Sequence, residues 1–330
     1  MKLTFINVGY GEAILLECPD STRPSGMFTA LIDGGSAEPA EFAFHLSGRI
    51  PVDMYLAQKG IERIDLMVST HTHEDHICGL TNAARRLPPA VLWQTLPPAL
   101  YRDLRPLDVS AAQNPSQSKF LRALNDYIEL CALTESRGGT IRAPAAGDVI
   151  PLCPGLTAHV LAPAAVNCAT LEEQTRALYA ERDPAVFLQK LSQLDAKMNN
   201  YSLILRLDYG GARILLPGDT SRTGYDGIAD EQLSAHLFKV GHHGQIDGAD
   251  KALIDRIRPS AVVCCASSDR RYNSAHPDAL RLLEANGAAL YFSDCPALPS
   301  LHIPPHQALT FTIEQTGRME ARYLSDGLSI

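Results

Sequence analysis

The sequence predicts an α/β fold, and three observations predict it. Short apolar runs recur in the first third of the chain and again after residue 200. Segments with helical spacing fill the middle. Four of the apolar runs end on side chains able to hold a metal. The length of 330 residues, with 45% hydrophobic and 20% charged residues, suits a soluble globular chain with a sizeable core.

The elements follow in order. Leu3 to Val8 and Ala13 to Glu17 are short apolar strands split by Gly9-Tyr10-Gly11. Phe28 to Ile32 is a third strand, closed by Asp33-Gly34-Gly35, and Ile64 to Thr70 is a fourth. A helix is expected over Leu80 to Leu87. From about Pro88 to Gly147 proline pairs and a polar stretch loosen the pattern, although Phe120 to Leu133 keeps helical spacing. Thr170-Leu171-Glu172-Glu173 fits a capping box ahead of a helix to about Glu181, and Asp183-Pro184 opens another that runs to Leu194. Strands return at Ser202 to Asp208 and Ala212 to Leu216, split by Gly210-Gly211. His236 to Val240 and Ala261 to Ala266 follow as strands. His276-Pro277 opens a helix that Gly287 stops. Ala288 to Phe292, Leu309 to Ile313 and Glu320 to Tyr323 are the last strands. No repeat or linker divides the chain, so a single domain over 1–330 is expected, with inserts at roughly 84–148 and 165–198 serving as a lid or a partner surface.

Composition narrows the function classes. A net charge of −8, from 37 acidic and 29 basic residues, does not favour non-specific binding to nucleic acid, though it leaves room for a local basic groove. Eight scattered cysteines without a Cys-x-x-Cys pair favour a reducing, cytoplasmic setting over a disulfide framework. The opening residues lack the features of a signal peptide, and no apolar run approaches a transmembrane helix, so no membrane association is expected.

The most informative segment is His71-Thr72-His73-Glu74-Asp75-His76 at the end of the fourth strand. Alternate residues of an extended chain share a side, so His71 and His73 can bind one metal. If a helix then begins, Asp75 and His76 face a second. Imidazole and carboxylate ligands suit zinc, iron or manganese. Asp33, Asp219 and the pair His242-His243 also follow apolar strands, so these four elements are expected to form one site.

This order of motifs resembles the metallo-β-lactamase superfamily, and most closely the metallo-β-lactamase domain of ComEC-type DNA-uptake proteins. The residues that carry the resemblance are Val8-Gly9-Tyr10-Gly11-Glu12-Ala13, Leu31 to Gly35, Gly218-Asp219, Lys239 to Gly244, and Asn273 to Pro277. The resemblance implies a four-layer αβ/βα sandwich with two divalent metal ions, Zn2+ or Mn2+, at its edge. It implies that His71 and His73 hold the first ion, that Asp75 and His76 hold the second, and that Asp219 bridges them. His243 or His242 would complete the second site. We favour His243 as the ligand, with His242 facing the substrate, assisting a leaving group or serving as a hydrogen-bonded neighbour. Where many superfamily members have a further histidine, this chain has Asn199-Asn200-Tyr201-Ser202, and either asparagine could take that place. Tyr10 and Glu12 depart from the Gln and Asp of the ComEC-type opening loop, which bears on substrate preference.

The chemistry implied is hydrolysis by a hydroxide held between two metals. No Gly-x-Ser-x-Gly elbow or Walker loop offers another route. Asp75 could both ligate and orient the water. His276 is a candidate proton donor or a helix cap, and Asp33 is expected to orient a ligand histidine. Lys239 reads as a phosphate contact or a solvated strand-end lysine, and Arg270 and Arg271 as phosphate contacts or a solvated loop. A phosphodiesterase or nuclease acting on DNA or RNA is the leading expectation. The alternatives are a small-molecule hydrolase acting on a cyclic nucleotide, phosphocholine ester or lactone, and a partner-binding subunit, or an oligomer, within a multi-gene defence or DNA-processing system.

Overall fold

The computed structural model describes residues 1–43, 47–298 and 301–325. Two sheets face each other. The eight-stranded sheet has the order β15 (Met319–Leu324), β14 (Ala308–Ile313), β1 (Lys2–Ile6), β2 (Ile14–Pro19), β3 (Met27–Ile32), β4 (Leu66–Val68), β5 (Val91–Trp93) and β6 (Thr140–Arg142). The seven-stranded sheet has the order β13 (Ala289–Phe292), β12 (Ala261–Cys264), β11 (Leu237–Lys239), β10 (Ala212–Leu216), β9 (Ile204–Tyr209), β8 (Leu156–Ala162) and β7 (Val149–Cys153). Strands β3 to β6 run parallel in one sheet and β10 to β13 in the other; the remaining pairs are antiparallel.

Three apolar layers fix the stacking. Leu3, Phe5, Ile14 and Leu16 of one sheet meet Leu205, Leu207, Ile214 and Val263 of the other. The outer face of the eight-stranded sheet, with Leu15, Leu31 and Met67, is covered by α1 (Val52–Gln58), α2 (Glu74–Arg86), α3 (Pro115–Ser136), α4 (Ala165–Ala180) and α5 (Pro184–Asp195). Leu215, Phe238 and Val262 face the opposite way, toward α7 (Lys251–Ile257) and α8 (Pro277–Ala285), with the one-turn α6 (Asp230–Leu233) beside them. Each strand therefore alternates between the central layer and an outer layer, as its two-residue period requires. The result is the four-layer αβ/βα sandwich that the resemblance implies.

Several boundaries differ from the sequence expectation. Helix α2 begins at Glu74, six residues before Leu80, because Glu74 and Asp75 suit the positive end of its dipole. Thr170 does not cap a helix: α4 starts at Ala165, and the Thr170 hydroxyl donates back to the Val166 carbonyl at 2.9 Å. Asp183 does cap α5, accepting from Ala185 and Val186. Strands β5 and β6 lie in the stretch read as loosened. With three residues each, they are too short to show a period. The first insert is thus partly framework, since these strands extend the larger sheet.

The backbone of α2 lies almost against the loop after β3. A Cβ on Gly79 would sit 2.0 Å from the Gly34 carbonyl oxygen, and one on Gly34 would sit 2.0 Å from the Leu80 nitrogen. The Gly34 nitrogen donates to the His76 carbonyl and the Gly79 nitrogen to the Gly35 carbonyl. These two glycines set how closely the first turn of α2 approaches Asp33.

Candidate metal centre

The site lies where parallel strands of both sheets end. β3 leads to Asp33, β4 to the histidine motif, β10 to Asp219 and β11 to His242-His243. One hydrogen bond joins the two sheets here, from the Leu203 nitrogen to the Thr70 carbonyl at 2.9 Å.

Two groups of ligand-capable atoms stand side by side. In the first, His71 Nε2 and His73 Nδ1 are 3.1 Å apart. In the second, atoms of Asp75, His76, Asp219 and His243 all lie within 4.8 Å of one another. His243 Nε2 is 3.0 Å from Asp75 Oδ2 and 2.8 Å from Asp219 Oδ2, and His76 Nε2 is 3.2 Å from the same Asp219 oxygen. The His71 and His76 rings, 4.2 Å apart, connect the groups.

The outward nitrogens are held in place, which fixes the tautomers. His76 Nδ1 donates to Asp33 Oδ2 at 2.8 Å, and His243 Nδ1 donates to the Cys265 carbonyl at 2.7 Å. The Thr70 hydroxyl donates to Asp33 Oδ2 at 2.6 Å and so accepts from His71 Nδ1 at 3.1 Å. One carboxylate therefore orients two imidazoles, and each is left with its Nε2 lone pair directed inward. His73 is turned the other way, with Nε2 toward Asp195 Oδ1 at 3.2 Å and Nδ1 facing His71.

The donor set fits a divalent metal. Inward lone pairs 3.1 and 3.4 Å apart, at His71–His73 and His76–His243, repel unless a proton or cation lies between them. Imidazole nitrogens with carboxylate oxygens suit zinc or manganese. Asn199 Oδ1 is buried with no hydrogen-bond partner among the described residues, as expected of an oxygen kept for a cation or a ligand.

The electrostatics agree. Burial and the neighbouring imidazoles hold His71 well below the ordinary histidine range, so it stays neutral. Burial also opposes charge on His243, but Asp219 and Asp75 outweigh it and push its pKa up to about 9. Burial would raise Asp219, but His243, His76 and Lys239 hold it well below the carboxylate range. The carboxylates thus favour a proton on His76 and His243 in the protein alone, a place that a cation would take.

Other expected residues are placed as follows. His242 stands apart from the ligand cluster: its Nδ1 donates to Asp247 at 2.8 Å, and its Nε2 accepts from Asn199 Nδ2 at 3.0 Å. His276 is not brought to the centre; its Nδ1 accepts from the Asp278 nitrogen and caps α8. Lys239 is neither solvated nor among the residues that line the cavity over the centre. It is fully buried, donating to the Gly218 carbonyl at 2.7 Å and to Asp219 Oδ1 at 3.1 Å, and pairing with buried Glu12. This pairing accounts for Glu12 in the opening loop. Arg271 is engaged by Glu41 and Asp269, so it is no ready phosphate contact. Two further basic residues in the first insert, Arg85 and Arg102, pair with Glu129 and Glu135.

A cavity of about 520 Å3 opens over the centre. His73, Asp75, Asp219 and His242 line it, together with Tyr10, Gln245 and Tyr272. Ser116, Lys119 and Phe120 from α3, Asp195 from the end of α5, and Asn199 after it complete the lining. Lys119 is the one lysine or arginine in this lining, and it lies 3.6 Å from Glu74. Sequence reasoning missed Lys119 because nothing in a helical sequence marks which of its residues will meet a distant strand end.

The two facing sheets with helices outside them have the arrangement of the metallo-β-lactamase fold, and residues 13–161 match the family model described as the metallo-beta-lactamase superfamily. The chain is also similar in sequence to a longer protein. It is 24% identical over 303 residues to "ComE operon protein 3" of Bacillus subtilis (strain 168), an alignment spanning 89% of this chain and 32% of that protein. The chain thus spans about a third of that relative's length. Solved structures similar in fold include Zn(2+)-bound PqqB from Methylobacterium extorquens, at 11% identity and a TM-score of 0.45 over 89% of this chain and 98% of that one. Another is a diphosphatase from the PhnP family, at 12% identity and a TM-score of 0.37 over 80% of this chain and 85% of that one.

Proposed function

We propose that this protein hydrolyses phosphodiesters at a centre of two divalent ions, zinc or manganese, and that nucleic acid is its leading substrate class. The observation that carries the proposal is the pair of adjoining ligand groups, His71–His73 and Asp75–His76–Asp219–His243, with their inward lone pairs. Two ions held there would supply an activated water and polarise a phosphoryl oxygen.

The chain's own residues do the rest. Asp33 orients His71 through Thr70 and His76 directly. Lys239 holds Asp219 Oδ1, leaving Oδ2 directed at His76 and His243. Asp219 would thus present Oδ2 to an ion held with His76 and His243. Asp75, which lines the cavity, would hold the second ion and could orient a water beside it. His242 lines the cavity with Nδ1 held by Asp247; to give a proton to the departing oxygen it must first take one at Nε2 and exchange its bond from Asn199 for that oxygen. Lys119 can meet a phosphate oxygen across the cavity.

The ComEC-type motifs favour nucleic acid. The cavity favours a second reading, a small phosphodiester such as a cyclic nucleotide, because about 520 Å3 is a small-ligand volume and its lining carries four carboxylates and one lysine. The eight cysteines, all free, accord with a reducing compartment, and no helix among the described residues is long and apolar enough to cross a membrane.

The test is turnover of single-stranded DNA, plasmid DNA and a cyclic nucleotide by protein loaded with Mn2+ or Zn2+, with Asp219→Ala as control. Cleavage of any of the three that is lost in the variant supports the proposal. No cleavage with either ion, or equal cleavage by the variant, contradicts it.

A further inference from the structure

We propose that Tyr272, backed by Tyr10, is a stacking platform for a nucleobase attached to the phosphodiester that the metal centre cleaves. The proposal rests on the phosphodiesterase reading and adds to it the chemistry of the group beside the phosphate.

Three observations carry it. The first is an aromatic track leading out of the centre. The Tyr10 ring lies 4.7 Å from that of the candidate ligand His243 and 5.1 Å from that of Tyr272, and both tyrosines line the cavity. The second is exposure. Tyr10 is 8% exposed and Tyr272 is 55% exposed, so the outer ring offers surface that the protein does not cover. A base lying on it would extend the track that runs from His243 through Tyr10 along the cavity.

The third observation is the backbone that holds Tyr272 there. Arg270, Tyr272, Asn273 and Ala275 all have positive φ, between 46° and 59°, without a glycine among them. Such conformations persist only where the surroundings impose them, and they gather at ligand sites. Here the surroundings are specific. Arg271 is tied to Glu41 and Asp269. The Ala275 and His276 nitrogens donate to the His243 and Gly244 carbonyls at 3.0 and 2.8 Å. The loop that presents Tyr272 is therefore bonded directly to the turn that presents His243. Packing alone does not require this arrangement, since a tyrosine 55% exposed gains little from it. Aromatic rings meet every base through its π-face, so the platform would be tolerant of sequence.

The test is binding of two fluorescent probes, a 2-aminopurine cyclic mononucleotide and a short single strand of DNA containing one 2-aminopurine, to the metal-loaded protein and to Tyr272→Phe and Tyr272→Ala. Both variants face the same left-handed backbone as the native residue, and unchanged metal content shows that the centre is intact. Stacking quenches 2-aminopurine. The expected result is quenching on binding, retained in Tyr272→Phe, with a loss of about tenfold or more in affinity and of the quench in Tyr272→Ala. Quenching of the mononucleotide alone identifies a small substrate, and quenching of the strand identifies nucleic acid. No quench with either probe, or wild-type binding by Tyr272→Ala, overturns the platform. Quenched binding without hydrolysis of the unmodified counterparts would instead count against the phosphodiesterase reading and leave the platform standing.

Discussion

At the residue scale the account depends on which nitrogen each histidine turns inward. Asp33 sets this for two of them, so Asp33→Asn should weaken metal affinity by about 10- to 100-fold while leaving the fold intact. Asparagine tolerates the φ of 53° at this position. Competition with a chelating dye measures it, and unchanged affinity would show that the hydrogen bonds do not orient the ligands. The adjacent histidines should separate. His243→Ala should lose bound metal, whereas His242→Ala should keep it and lower kcat by about 10²- to 10⁴-fold. Equal metal loss in both would refute that division. The raised pKa of His243 has a sign that can be checked. In the metal-free protein its proton is stabilised by Asp219 and Asp75. That contribution is complete below the unfolded value near 6.5 and is lost as pH rises through about 9. The Tm of the metal-free protein should therefore fall between pH 6.5 and 9. The loaded protein, in which the same lone pair binds metal, should not show this fall. Parallel Tm curves would contradict the assignment.

At the element scale, the approach of α2 to the loop after β3 places Asp75 and His76. Alanine at Gly79 would gain about 1 kcal/mol in helix propensity. It would also press a methyl to 2.0 Å from the Gly34 carbonyl, a backbone atom that cannot swing away. Overpacking costs about 1–3 kcal/mol or more, so the clash should win. Gly79→Ala should show a net loss of roughly 2 kcal/mol or more in urea unfolding, with weaker metal binding. A neutral or stabilised variant would mean the helix can shift without cost. The sequence carried much of this framework. Strand ends that deliver Asp33, His71, Asp219 and His243 were legible because apolar runs stop abruptly at polar motifs. Asp183 was legible as a cap because its oxygen accepts from the backbone two and three residues on. Less was legible where the cause lies in tertiary contact. Strands β5 and β6 are three residues each and form only because a neighbouring strand pairs with them. Lys239 looks like any strand-end lysine until Glu12 and Asp219 are seen around it.

At the scale of the whole molecule, strands of two sheets end at one edge, and α3 and the end of α5 line the cavity there. Neither sheet alone holds a complete centre: Asp33 and the histidine motif come from one, Asp219 and His243 from the other. That division makes the centre a link between halves, so metal should raise the unfolding temperature of the protein as a whole. The inserts could be recognised as helical from their spacing, but their meeting over the centre depends on contacts between residues about 80 apart, such as Ser116 with Asp195. The most direct test of the two-metal claim is elemental analysis of protein purified without chelator and then exposed to excess Zn2+ or Mn2+ and desalted. The account predicts about two equivalents per chain, with a clear loss in Asp219→Ala. One equivalent or none in the native protein would contradict it.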